Sequence, residues 1–122
     1  MADSKLRDLS TDFAVKVIKM CDKTKGHYSL VNQLERSSTS IGANIHEANY
    51  ASSKADFINK FHIALKECAE TEYWVEMLAG CKAITQENAE SILQECGIIR
   101  RMLAKSITTA KGNKEQEEEK RI

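Results

Sequence analysis

The chain has 122 residues, of which 42% are hydrophobic and 30% charged, with 18 basic and 18 acidic side chains. That length suits one domain able to bury most of the surface its unfolded form exposes. Balanced charge argues against tight nucleic-acid binding by a lone subunit, which rests on neutralising phosphates, and without a run of about 18 apolar residues nothing spans a membrane.

Helix breakers are scarce, with no proline and only five glycines. All-α is therefore the expected class. The opening "MADSKLRDLS" lacks the apolar core of a signal peptide, so a cytoplasmic location is expected. Cysteines at 21, 68, 81 and 96 have no CxxC spacing and read as reduced thiols, mostly core filler.

A first helix is predicted over about 4–23, where Leu6, Leu9, Phe13, Val17 and Met20 recur every three or four residues. It stops at "TKG", where Gly26 can take the left-handed conformation of a helix end. The second helix spans about 30–51, with Ser29 as its N-cap and Leu30, Leu34, Ile41, Ile45 and Ala48 along one face.

The third helix covers about 54–80. Ser53 and Asp56 have the spacing of a capping box, and Phe57, Phe61, Ala64, Leu65, Cys68, Val75 and Ala79 form the stripe. After the turn "GCKAIT", Thr85 caps a fourth helix over about 86–111, lined by Ile92, Cys96, Ile99, Leu103, Ile107 and Ala110. The charged, apolar-poor tail 112–122 is expected to be disordered. Short connections make successive helices antiparallel, so residues 1–111 should form an up-down-up-down four-helix bundle.

Chemical motifs are tested against the stretch "ERSSTSIGANIHEANYASSKADF", polar where a helix core should be apolar. His46-Glu47 begins an HExxH pattern, but Tyr50 stands where the second histidine must be, so both imidazoles cannot share a zinc ion. Gly42 lacks the companion glycines and lysine of a phosphate-binding loop. Asn59, three residues before His62, breaks the Glu-x-x-His pattern of di-iron bundles. No local spacing sets a base beside a serine or cysteine nucleophile. No cofactor, metal or catalytic residue is expected.

Helical steps of about 100° instead place Ser37, Ser38, Asn44 and Ala48 among Ile41 and Ile45, on the core face. Small side chains there let a neighbouring helix come close, and serine hydroxyls can bond a carbonyl one turn back. Glu72 falls on the core side of the third helix, where an unpaired charge is costly, and Asn44 is its expected partner. Ser38, Asn44 and Glu72 are thus read as a structural polar core.

A second face lies off the core. Ile63, Glu70, Trp74 and Met77 of the third helix and Arg36, Ser40 and Glu47 of the second predict a subunit interface, since aromatics and arginine are enriched in interfaces. Basic side chains at Lys16, Lys19 and Lys23, and at Arg100, Arg101 and Lys105, are the candidate nucleic-acid contacts. The competing meaning is a solvated helix face.

"RSSTSIGANIHEA" followed by "DFINKFHIALKECAETEYWVEML" resembles the four-helix bundle proteins encoded by intervening sequences of bacterial 23S ribosomal RNA genes. It is also similar to the related accessory variability determinant of diversity-generating retroelements. Arg36, Ser40, Ile41, Ala43, Asn44, Ile45 and Glu47 match the first part of the family pattern, and Phe57, Ile63, Ala64, Glu70 and Glu72 the second. Ala48, Asp56, Glu67 and Thr71 depart from it.

The resemblance implies a bundle that assembles as a homopentamer, without known catalysis. For the retroelement members it implies binding to RNA and a reverse transcriptase. The expected function is therefore a non-enzymatic oligomeric scaffold or adaptor. A nucleic-acid-binding accessory is the alternative, and a metal- or nucleotide-dependent bundle enzyme is the third class.

Overall fold

The computed structural model describes residues 3–120, with side chains from 5 to 112. Four helices follow one another: α1 (Asp3–Lys23), α2 (Tyr28–Ala48), α3 (Lys54–Gly80) and α4 (Gln86–Lys120). Each predicted apolar stripe turns inward. Leu6, Phe13 and Val17 of α1 meet Leu34, Ile41 and Ile45 of α2, Phe61, Val75 and Leu78 of α3, and Ile92, Ile99 and Leu103 of α4, all buried. The bundle closes as a ring, α1 on α2, α2 on α3, α3 on α4 and α4 back on α1, with α2–α3 the most extensive pairing.

The helix ends show which local signals act. Ser53 Oγ accepts from Asp56 N at 3.1 Å, and Asp56 Oδ2 accepts in return from Ser52 N at 3.1 Å, one residue from an ideal capping box. Thr85 Oγ1 accepts from Asn88 N at 3.0 Å and starts α4 as expected. Ser29 is not the cap of α2. That helix begins at Tyr28, and the carbonyl of His27 accepts from Val31 N at 3.0 Å. Consecutive left-handed residues, Gly26 (φ 77°) and His27 (φ 51°), turn the chain within a few residues of α1, and helical backbone resumes directly after them at Tyr28.

At the far end α4 does not stop at 111. It runs on to Lys120, so the segment expected to be disordered from 112 carries the helix onward, while Arg121 and Ile122 lie outside the described residues. Glu, Gln and Lys rank high in helix propensity, and extending a formed helix adds a hydrogen bond per residue without a new nucleus. Lys16 of α1 bonds both Ser91 and Glu95 of α4, one turn apart, so in the antiparallel pairing the start of α1 lies beside the later turns of α4 but short of its last residues. The last turns of α4 therefore pass beyond the start of α1.

Candidate functional site

The polar stretch of α2 is a packing seam. Ser37 and Ser38 are fully buried and donate to carbonyls one turn back, Leu34 O at 3.3 Å and Glu35 O at 3.2 Å. Thr71 of α3, also fully buried, donates through Oγ1 to Ser37 Oγ at 2.9 Å and ties the two helices together. Gly42 faces α1, where a Cβ would lie 3.4 Å from the buried Ser10 Oγ. Small residues thus bring both neighbours of α2 close to its backbone.

The expected Asn44–Glu72 pair does not form. Asn44 Nδ2 donates within its own helix, to Ser40 O at 2.9 Å and Ser40 Oγ at 3.2 Å. Glu72 turns to α4 and meets Arg100 Nε at 3.2 Å, its side chain only partly covered. The physical reason is a single helical step: positions 71 and 72 both follow Cys68 by about one turn, and the uncharged Thr71 takes the inward place. A carboxylate one step further round reaches water and a guanidinium, which avoids the desolvation cost.

The off-core face is built from α2 and α3 together. Ile63, Trp74 and Met77 recur at three- and one-turn intervals on one side of α3, half-buried or exposed. Beside them Arg36 of α2 reaches across, its Nη1 3.0 Å from Glu67 Oε2 and its Nη2 on Glu70. Trp74 Nε1 donates to the same Glu70 Oε1 at 3.2 Å, which ties the indole to the carboxylate that Arg36 holds. Lys60 and Glu47 add a second α2–α3 ion pair at 3.1 Å. Ser40 faces this side too, but its oxygens are occupied by Asn44.

The hydrogen bond from Arg36, with help from Trp74, holds the Glu70 carboxyl below the ordinary carboxylate range. A lowered pKa in the folded state contributes stability above the unfolded value, and that contribution is lost as pH falls through the folded value. Trp74 is the one tryptophan of the chain, so it reports this titration directly. Its fluorescence is expected to change with a midpoint below about 4.3, the ordinary glutamate value, and Arg36→Met should move that midpoint upward. A midpoint unmoved by the substitution would show that the clasp does not govern Glu70.

The six candidate nucleic-acid contacts do not form one patch. Lys16 Nζ is bound to Ser91 Oγ at 2.6 Å and Glu95 Oε1 at 2.9 Å. With Lys19 and Lys23 it borders a cleft between the C-terminal half of α1 and the start of α4. Arg100 is engaged by Glu72 on the other side of α4. Arg101 and Lys105 are exposed and lie nearer the opposite end of the bundle.

Cys21, Cys68 and Cys96 are buried, and Cys81 is exposed at the end of α3. Burial, with Glu35 and Asp22 nearby, pushes the Cys21 thiol up to about 12. Cys68 is raised as well, chiefly by its hydrogen bond with Cys96 and by burial. A thiol-specific reagent should therefore titrate one sulfhydryl rapidly in the native protein and four in denaturant, with Cys81→Ser removing the fast one. Two or more fast thiols would contradict the packing around Cys68 and Cys96. Among the described residues, no three His, Cys, Asp or Glu side chains converge on a point, and no helix is long and apolar enough to cross a membrane.

Comparison with known proteins agrees with this architecture. A crystal structure of a protein of unknown function from the S23 ribosomal protein family, from Bacteroides thetaiotaomicron VPI-5482, superposes with a TM-score of 0.83 at 43% identity, covering 88% of this chain and 99% of that one. No curated protein matches. The family model of the 23S rRNA-intervening sequence protein matches residues 2–105, from the start of α1 through most of the packed part of α4. With its four helices, its serine-lined seam and nearly its whole packed length accounted for, the chain belongs to the 23S rRNA-intervening sequence protein family.

Proposed function

We propose that the protein is a non-enzymatic oligomeric scaffold or adaptor, acting in the cytoplasm and assembled through the outer face of α2 and α3. One observation carries this reading. Ile63 and Met77 lie off the core, and Trp74, half-buried with one edge packed against it, stands between them beside a clasp in which Arg36 holds Glu67 and Glu70, with Met77 42% exposed. Apolar anchors, a tryptophan among them, framed by ordered charges have the anatomy of an interface centre and rim. The similarity to intervening-sequence proteins favours five subunits. Light scattering at micromolar concentration should return a multiple of the 13.7 kDa chain mass. A ~14 kDa particle would end the proposal.

The second reading, an accessory that acts with RNA or a reverse transcriptase as in diversity-generating retroelements, is favoured by the exposed Lys19, Lys23, Arg101 and Lys105. Copies around a ring sum their fields, so a neutral chain can present a locally basic surface. A gel shift with structured RNA that weakens steeply with salt would support it, and absence of binding at low salt would reject it.

A further inference from the structure

We infer that the cleft between α1 and α4 is a binding site for a phosphate-bearing ligand of nucleotide size. The cleft has a volume of about 370 Å³, within the range of small-molecule sites, about 300–1,000 Å³. Three lysines and no carboxylate are among the residues that line it. That is an unusual local balance in a chain whose acids and bases are equal in number.

The three lysines divide by role. Lys16 is neutralised by Glu95 and bound to Ser91, so it fastens α4 to α1 and fixes the width of the cleft. Lys19 and Lys23 are exposed, sit one helical turn apart, and make no ion pair among the described residues. Like charges at that spacing repel each other, and an anion placed between them relieves the repulsion. A phosphate presents enough oxygens to accept from both ammonium groups at once.

The rest of the lining favours more than a bare anion. The apolar floor is chiefly the half-buried Met20, with the edge of Ile84 beside it and the buried Ile92 beneath as part of the bundle core. A flat ring system such as a nucleobase covers such a floor, while its phosphate lies toward Lys19 and Lys23. Asn88 on the α4 wall makes no side-chain hydrogen bond among the described residues, and its amide can pair with a ring edge. The arrangement is a small apolar site with a few polar groups at one rim, the usual anatomy of a ligand pocket.

Both a free nucleotide and the end of an RNA strand carry this chemistry, and amide chemical-shift mapping on the full-length protein separates them. ATP and an eight-residue single-stranded RNA are titrated at low salt into the wild type and into the Lys19→Gln/Lys23→Gln double variant. Both substitutions are at exposed positions, so folding is retained. Expected are shifts confined to residues 16–24 and 83–92, with affinity at least tenfold weaker in the double variant. Shifts there with ATP identify a free nucleotide as the ligand. Shifts at the same residues with RNA alone support the site and assign it to a strand end. No shift with either at millimolar concentration, shifts equally strong around Arg101 and Lys105, or affinity unchanged in the double variant would each overturn the inference. Subunit mass is indifferent to these outcomes, so the oligomer proposal stands or falls separately.

Discussion

Ser37→Leu is expected to destabilise the protein by about 2–4 kcal/mol in urea unfolding. Adding three carbons to a fully buried site between two closely approaching helices forces side chains off their rotamers or the helices apart, at about 1–3 kcal/mol. The substitution also removes the acceptor of the Thr71 hydroxyl. A stranded buried hydroxyl costs about 1–3 kcal/mol, reduced where it can turn to a carbonyl of its own helix. Set against a total stability of about 5–15 kcal/mol, the midpoint should fall substantially. Thr71→Val is the informative contrast. It keeps the shape and leaves Ser37 bonded to Leu34 O, so it should cost no more than about 1.5 kcal/mol. A leucine at position 37 tolerated without loss would mean that α2 and α3 are not pressed together there.

If the subunits assemble as proposed, Arg36→Glu is expected to dissociate them into 13.7 kDa particles while leaving the helical content intact. Within one subunit the loss is modest, because Arg36 is about half exposed and such pairs contribute about 0–1 kcal/mol. At an interface the effect is larger. The reversal sets a third carboxylate beside Glu67 and Glu70 of the same subunit, and a partner packed over this face then has to desolvate three like charges that no longer have a counter-ion among them, which is costly. In a closed ring that penalty recurs at every subunit contact. Circular dichroism and light scattering on the same samples distinguish the outcomes. A helical, wild-type-sized assembly would remove the α2–α3 face as the contact surface, and a loss of helicity would show that the clasp maintains the subunit itself.

The two substitutions probe neighbouring sides of α3, and their different legibility has a physical origin. Leu6, Phe13, Val17, Leu34, Ile41, Ile45 and Phe61 could be placed inside from spacing alone, because a 3.6-residue period and the cost of exposed apolar surface leave few arrangements. The caps at Ser53 and Thr85 were equally readable, since each satisfies orphan amides within three residues of itself. Ser37 and Ser38 were recognisable as a close-contact seam, with hydroxyl bonds one turn back. Thr71, their tie to α3, was not identified. Its signal was present, as a residue one turn after Cys68, but Glu72 carries the same signal within one step.

Sequence by itself determined the four helices, their inward stripes and the small-residue seam of α2, because each depends on residues within a turn or two of one another. Only tertiary structure decided the pairings across helices: Thr71 with Ser37, Glu72 with Arg100, Arg36 with Glu67 and Glu70, and Lys16 with Ser91 and Glu95. These depend on helix rotation and register, where a shift of one residue turns a side chain by about 100°. Hydrophobic periodicity specifies which face is buried but leaves open which charge lies opposite which. The separation of the basic groups into the α1–α4 cleft and the distant Arg101 and Lys105 has the same origin, since antiparallel packing sets residues 16–23 beside the start of α4 rather than beside its later turns.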